Sequence, residues 1–492
     1  MNPMCTTRSN FTRSDFEVNQ TISWEMLSDD QCEEILMTAL EVLERTGADI
    51  LNKEARDIFL EAGCWVDGTR VRIPSSLTEW AVRTAPSRVT LCDRNGKRAL
   101  RVETTNAYYG PGQGNSFILD SQTGERRAPV KSDVANTGIV CDALNNIDFV
   151  LSNGYPTDVN SATADLHVFE ALLTNTTKPI IQPMQDVKQG QAILDMGAAV
   201  AGGLRELQKN PFFVFLIDTE GTLVHSDETL AKVIFAAKNR VPFIYNSKLI
   251  LGDTAPASPA GAIVVALADV LVGILLSQLI HQGTPVFAGG VFTINDQENG
   301  MLPWGAPEVS LVGTGMDNVL RHLRVPSFGF AGASESKISD AQMGLEEAFS
   351  MLHQGLSGTN LIYGCGQLEY GLTGSLDMLA IGDEIVGMTR KIIKGIEVNE
   401  ERTARGVIDA VQPAGNYLGE EHTLKYFRTE FWWPTLMNRD RIKDWTEAGC
   451  KSLGQRAKEK IQSILQTHQG EKLPEDVLTE LKAIIEKAEK SL

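Results

Sequence analysis

The feature that most constrains the fold is an alternation of apolar runs and helical stretches that begins near residue 107. Eight apolar or glycine-ended runs are candidate strands: residues 107–112, 147–154, 178–184, 211–218, 241–248, 284–292, 326–334 and 360–366. Each is followed by a stretch with helical periodicity: residues 131–144, 161–174, 187–202, 227–238, 258–281, 306–322, 339–357 and 375–395. Eight strand-then-helix units with strands buried on both faces predict an α/β fold of the TIM (β/α)₈ barrel type. A doubly wound open sheet is the alternative, although such sheets usually have fewer strands.

The rest of the chain predicts two additions to this barrel. Residues 1–105 combine helical periodicity with short strand-like pieces and are expected to form an N-terminal α+β extension. Residues 106–400 would form the catalytic barrel domain, and residues 401–492 a C-terminal loop and helical tail that packs at the surface or between subunits. The long apolar run at 260–280 is interrupted by Asp269, which favours a buried helix over a membrane span.

Charge and cysteine content exclude several classes of function. A formal net charge of −18 at pH 7 opposes nucleic acid binding, which needs a basic face to replace phosphate counterions. The 7 cysteines include no C-x-x-C pair, which is typical of reduced thiols in a cytoplasmic protein. The histidines show neither H-x-x-x-H nor H-E-x-x-H spacing, so we expect no metal site.

The carboxyl ends of the strands are where a barrel places its chemistry. Cys365 lies there, but no neighbouring histidine activates it, so a packed thiol is favoured over a nucleophile. Tyrosine, phenylalanine and amide residues accumulate at these ends, and about half of them should face the interior because strand neighbours alternate. Aromatic side chains can bind an organic cation. The alternative, that they only plug the barrel, stays open on the residues alone.

Several motifs resemble the trimethylamine methyltransferase superfamily. They are the turn "LDSQTGERR", the strand entry "ALNNIDF", and the segments "GTPVFAGGVF", "WGAPEVSLVGTGM" and "GTNLIYGCGQLEYGL". The resemblance covers about residues 30–435 and implies a TIM barrel that moves a methyl group from a methylamine to the cobalt of a separate corrinoid protein. It therefore implies a corrinoid protein as partner, cobalamin carried by that partner, and no cofactor bound in this chain.

The chain is similar to the branch of this family without pyrrolysine, a residue that would fall near 332–336. That branch acts on quaternary amines, and glycine betaine is the expected substrate, with proline betaine, carnitine or another methylamine as alternatives. We also expect a homo-oligomer that binds no membrane. A Schiff-base lyase using Lys248 and a non-catalytic betaine-binding protein are the competing hypotheses from other classes.

The resemblance also implies roles for residues at the strand ends. No residue is assigned to acid, base or nucleophilic catalysis, because a quaternary amine leaves as a neutral tertiary amine that needs no proton. The cation would be enclosed by Tyr109, Tyr155, Tyr245, Phe292 and Phe330. A substrate carboxylate would be held by Lys248, Gln113, Asn153 or Gln367. Glu369 would offset the ammonium charge.

Overall fold

The computed structural model describes residues 24–490, so Cys5 and the start of the predicted N-terminal extension lie outside the described residues. The N-terminal part combines helices and short strands. They are α1 (Asp29–Glu41), β1 (Ala48–Ile50), α2 (Lys53–Glu61), β2 (Trp65–Asp67), β3 (Arg70–Arg72), α3 (Ser75–Thr84), β4 (Arg88–Cys92) and β5 (Arg98–Glu103). Helix α1 begins with a capping box, in which Ser28 accepts from the amide of Gln31 and the Gln31 side chain accepts in return.

Alternating strands and helices follow. The strands are β6 (Tyr108–Pro111), β7 (Phe117–Leu119), β8 (Arg126–Arg127), β9 (Ile180–Pro183), β10 (Phe213–Asp218), β11 (Val224–His225), β12 (Phe243–Leu251), β13 (Val286–Ile294), β14 (Ser327–Phe330), β15 (Leu361–Cys365), β16 (Gln367–Leu368) and β17 (Thr373–Ser375). Within residues 24–490, seven of them form one parallel sheet in the order β6-β15-β14-β13-β12-β10-β9. These confirm seven of the eight predicted strands, and each begins within two residues of its predicted start.

Helices connect the strands of this sheet. They are α4 (Lys131–Ala143), α5 (Ala164–Asn175), α6 (Val187–Ala201), α7 (Leu204–Lys209), α8 (Asp227–Asn239), α9 (Pro259–Ile280), α10 (Pro307–His322), α11 (Ala341–Ser357) and α12 (Leu376–Ile393). Ser226 and Ser375 cap α8 and α12 through their side chains. Helix α9 is long and apolar enough to cross a membrane, but most of it is buried in this protein, where it packs on β12, β13, α8 and α10.

The second predicted strand, residues 147–154, is not a regular strand. Its only strand-like pairing among the described residues is a bridge from Val150 to Ile180 of β9. The Asp148 amide donates to the carbonyl of Tyr109 on β6 (2.7 Å), while the Asp148 side chain accepts from the amide of Tyr109 (2.8 Å). The Asp148 carboxylate thus accepts a hydrogen bond that a backbone carbonyl would accept in a regular strand pair. The segment lies between β6 and β9, the two outer strands of the sheet.

The buried apolar side chains of the described chain form two clusters on opposite faces of the sheet. The outer cluster packs against the helices. The inner cluster takes alternate residues from the strands and includes Phe149 and Leu151 of the irregular segment. The hairpin β4–β5 adds Val89 and Leu100 to it at the amino ends of the strands. The sheet is therefore curled around an interior filled by these side chains, with the β4–β5 hairpin at one end and the mouth, at the carboxyl ends of the strands, at the other.

The C-terminal part consists of α13 (Arg405–Val411), α14 (Glu421–Glu430), α15 (Ile442–Glu447), α16 (Leu453–Thr467) and α17 (Glu475–Lys490). Helix α16 packs on α12 and α4, and α17 packs on α6 and α5, so the tail covers the helical layer. Part of the segment expected as a loop is the helix α14. The predicted division at residues 105 and 400 stays a prediction.

Candidate functional site

Three aromatic residues predicted to face the interior face the helices instead. Tyr109, Tyr245 and Phe292 are buried in the outer cluster. The Tyr245 hydroxyl lies 2.7 Å from Nδ1 of His225, and the Tyr109 hydroxyl donates to the carbonyl of Met351 on α11 (3.4 Å). Side chains alternate along a strand, and both faces of this sheet are apolar. Residue type alone therefore did not indicate which side chains point to the interior and which to the helices. Their predicted place in a cation site is wrong.

Tyr155 is likewise directed at a helix. It follows the irregular segment, and its hydroxyl donates to Oδ1 of Asp165 on α5 (3.0 Å). Burial raises the pKa of Asp165 to about 6, and the hydrogen bond from Tyr155 only partly opposes that rise. The Tyr155 hydroxyl is therefore occupied in fixing the start of α5 beside the mouth.

The interior near the mouth carries a cluster of rings, here called the aromatic wall: Trp304, Phe328, Phe330 and Tyr363. Phe330 meets Trp304 and Tyr363 edge to face, with ring centroids 5.3 Å and 5.1 Å apart, and Phe328 stacks on Tyr363 at 4.5 Å. Of these, sequence reasoning selected only Phe330. The signal available for Phe328 and Tyr363 was their alternation with their strand neighbours, whereas Trp304 comes from a loop and was marked only as the first residue of the family-like segment "WGAPEVSLVGTGM".

A charged pair faces this wall across the interior. Lys248 Nζ lies 2.6 Å from Oδ2 of Asp218, and the Asn246 side-chain amide donates to the other carboxylate oxygen (2.9 Å). Burial, with a smaller contribution from the negative charge of Asp218, raises the pKa of Tyr363 well above its ordinary value. Lys248, a predicted site residue, is thus at the mouth but paired with Asp218.

The predicted amide residues are brought together on the rim. Gln367 Nε2 donates to Oδ1 of Asn115 (2.7 Å) and to the carbonyl of Gln113 (3.3 Å), and Asn115 Nδ2 donates to Oδ1 of Asn153 (2.8 Å). Within residues 24–490, Oε1 of Gln113 and Oε1 of Gln367 are buried acceptors that receive no hydrogen bond. The side-chain oxygens that these two glutamines leave free suit a cation better than the carboxylate expected for them.

Glu369, another predicted site residue at a strand end, has its own partners. Glu369 Oε2 lies 2.6 Å from the Arg126 guanidinium and 2.5 Å from the Thr373 hydroxyl. Burial acts to raise the pKa of Glu369, but these two partners lower it overall, so its charge is already offset by Arg126.

Cys365 is fully buried in the outer cluster, and burial raises the pKa of its thiol well above the usual value. The packed thiol, not the nucleophile, fits this environment.

The fold and the site together define a class of protein. A curled parallel sheet with helices packed on its outer face, and with rings and a charged pair near the carboxyl ends of its strands, defines an α/β protein of barrel-like architecture. Within the described residues, no group of three histidine, cysteine or carboxylate side chains lies close enough to hold a metal ion.

Comparison with known proteins gives the family. The family description "Trimethylamine methyltransferase (MTTB)" matches residues 6–492. The chain is 35% identical to the trimethylamine methyltransferase MttB of Desulfitobacterium hafniense (strain DSM 10664 / DCB-2) over 94% of this chain and 93% of the relative. It is 29% identical to the glycine betaine methyltransferase of Desulfitobacterium hafniense (strain Y51) over 94% and 96%. The chain belongs to the trimethylamine methyltransferase family, a family of methyltransferases.

A solved structure supports the fold. The crystal structure of the monomethylamine methyltransferase MtmB of Methanosarcina barkeri matches with a TM-score of 0.55 at 11% identity, covering 96% of this chain and 89% of that one. At this identity the likeness concerns the fold alone.

Proposed function

We propose that this protein moves a methyl group from a quaternary amine, most specifically glycine betaine, to Co(I) of a corrinoid carried by a separate protein. The family and a relative that is a glycine betaine methyltransferase support the reaction class. Substrate binding would occur inside the mouth of the sheet. We also infer that residues 147–152 close the sheet into a barrel between β6 and β9, which would leave the mouth as the entrance, since the β4–β5 hairpin fills the other end.

The aromatic wall opposite Asp218 is the observation that carries this proposal. A quaternary ammonium has no N–H and binds through its charge and its methyl surface, which rings and a carboxylate provide. Each well-placed ring contributes about 0.5–2 kcal/mol to binding such a cation. Phe330 on β14 and Tyr363 on β15 would offer this surface, and Asp218 at the carboxyl end of β10 would offer the counter-charge.

Lys248 favours a substrate that also has a carboxylate. Its ammonium lies beside Asp218 and is 42% exposed towards the mouth, so it stays accessible to a second anion. A betaine lying with its nitrogen near Asp218 would bring its carboxylate towards Lys248. Its ammonium charge would then lie beside Asp218, and its carboxylate would lie beside the Lys248 ammonium. A plain amine would leave this lysine without that interaction.

The chemistry needs positioning more than it needs reactive side chains. The carbon–nitrogen bond breaks with its electron pair remaining on nitrogen, and the electron pair of Co(I) forms the new bond to the methyl carbon. The product is a neutral tertiary amine, so no proton is required. The residues of this chain would desolvate the cation and hold one methyl group towards the mouth.

The Schiff-base lyase hypothesis is disfavoured by the same lysine. A Schiff base needs a lysine amine that is free to attack a carbonyl carbon, whereas Lys248 Nζ is held 2.6 Å from the carboxylate of Asp218. Nothing in the interior favours that reaction over methyl transfer.

The deciding experiment is to follow methyl-Co(III) formation in the visible spectrum. The protein is incubated with reduced corrinoid protein or free cob(I)alamin and with glycine betaine, proline betaine, carnitine, tetramethylammonium or trimethylamine. We expect methylation of cobalt with glycine betaine and a neutral tertiary amine as product. Activity with trimethylamine alone would refute the assignment to quaternary amines, and binding of betaine without any methyl transfer would support the betaine-binding alternative.

A further inference from the structure

The backbone of the loop that supplies Trp304 is hydrogen-bonded to a carboxylate. Oε1 of Glu335, in the loop after β14, accepts from the backbone amides of Trp304 (2.6 Å) and Gly305 (2.9 Å). Its Oε2 also accepts from the Gly305 amide (3.0 Å). Glu335 is only 9% exposed, and burial raises the pKa of its carboxyl group. All three of these hydrogen bonds are donated by two neighbouring residues, Trp304 and Gly305.

The geometry of this loop leaves little freedom to the ring. Trp304 Nε1 donates to the carbonyl of Tyr370 (2.9 Å), and the hydroxyl of Thr293 donates to the carbonyl of Pro303 (2.8 Å). A Cβ on Gly305 would lie 2.6 Å from Oε2 of Glu335, so the backbone approaches the carboxylate more closely than a side chain would permit. The loop backbone and the indole are thus fixed from separate sides.

We propose that Glu335 is a positioning residue that holds Trp304 as one ring of the quaternary ammonium site and thereby sets the affinity for the cation. This inference rests on the proposed function. Binding is strongest when the rings are held in the bound geometry before the ligand arrives, because no ordering cost is then paid on association. Phe330 and Tyr363 lie on strands of the sheet, whereas Trp304 lies on a loop whose backbone Glu335 holds at two successive amides.

A double-mutant cycle tests whether Glu335 acts through Trp304. Dissociation constants for tetramethylammonium are measured by calorimetry for the wild type, Glu335→Ala, Trp304→Ala and the double variant. We expect each single change to weaken binding by about fivefold or more, and the double variant to be no weaker than Trp304→Ala. Glu335→Gln keeps one acceptor oxygen and should recover most of the affinity. Additive effects of the two single changes would overturn the proposal.

Acrylamide quenching decides the question without any ligand. Subtracting the signal of Trp304→Phe isolates the fluorescence of Trp304, whose quenching constant should rise at least about twofold in Glu335→Ala as the indole becomes mobile. An unchanged constant would refute the role of Glu335. If no quaternary amine binds the wild type, the proposed function fails, while this readout still decides whether Glu335 positions Trp304.

Glu384 provides the matched control. Its carboxylate also accepts from backbone amides, those of Leu436 and Met437 at 2.9 Å each, but it does so where α12 meets the C-terminal part. Glu384→Ala should lower thermal stability and leave both tetramethylammonium affinity and Trp304 quenching unchanged. If Glu384→Ala changes them as much as Glu335→Ala does, general loosening of the fold explains the result and the proposal is refuted.

Discussion

Phe330→Leu separates recognition of a cation from simple packing. The ring of Phe330 lies in the inner cluster in contact with Trp304 and Tyr363. Leucine keeps an apolar side chain of similar size but removes the ring face that attracts a positive charge. Loss of one such face is worth about 0.5–2 kcal/mol, so the dissociation constant of glycine betaine should rise about 2- to 30-fold.

The assay compares two ligands of the same shape. Calorimetry gives the affinity for glycine betaine and for 3,3-dimethylbutanoate, in which carbon replaces the quaternary nitrogen and the positive charge is absent. Phe330→Leu should weaken binding of the betaine and leave binding of the isostere that lacks the ammonium charge nearly unchanged. Equal weakening of both ligands would show that Phe330 contributes packing alone and would refute the cation site.

Phe292→Leu is the control on the opposite face of the same sheet. Phe292 is buried in the outer cluster against the helices. Both substitutions should lower the free energy of unfolding by about 1 kcal/mol, since each removes ring atoms from a packed core. Only Phe330→Leu should change the affinity for glycine betaine, and a matching loss in Phe292→Leu would show an indirect effect of stability.

Three further predictions address the charged and polar groups. Lys248→Met should weaken glycine betaine binding about tenfold but not tetramethylammonium binding, as measured by calorimetry; equal losses would exclude a carboxylate contact. Tyr245→Phe removes the hydroxyl bonded to His225 and should lower the free energy of unfolding by about 1–2 kcal/mol in urea, with ligand affinity unchanged. Burial raises the pKa of Asp317 to about 7, so the folded chain retains a proton that the unfolded chain releases above about pH 4. The contribution of Asp317 to the free energy of unfolding should therefore fall as pH rises from 4 to 7, and Asp317→Asn should remove a slope of up to about 1.4 kcal/mol per pH unit.

The order of strands and helices was readable from the sequence because its causes are local. A strand buried on both faces needs a continuous apolar run, and a helix after it needs a periodic stretch and often a capping side chain. Seven of the eight predicted strands are present in the described chain. The one that is not regular, the second predicted strand at residues 147–154, lacks regular pairing because the Asp148 side chain accepts from the amide of Tyr109, a contact between residues far apart in the chain.

The site could be predicted only in part, because contacts between residues far apart in the chain also decide which side chains form it. Phe330 and Lys248 were selected and do lie at the mouth, as do the amides of Gln113, Asn153 and Gln367. Trp304 was missed, because its place depends on a carboxylate 31 residues further along the chain. No pattern within the loop itself indicates that contact.

What the sequence determined by itself was therefore the succession of elements and the family to which the chain belongs. Only the tertiary structure decided which side chains face the interior. Tyr245 and Asn246 are neighbours on β12, and the first packs against helices while the second bonds to Asp218. Because both faces of the sheet are buried, polarity does not mark the inner face, and the curl of the sheet alone assigns each alternate residue to the ligand or to the helices.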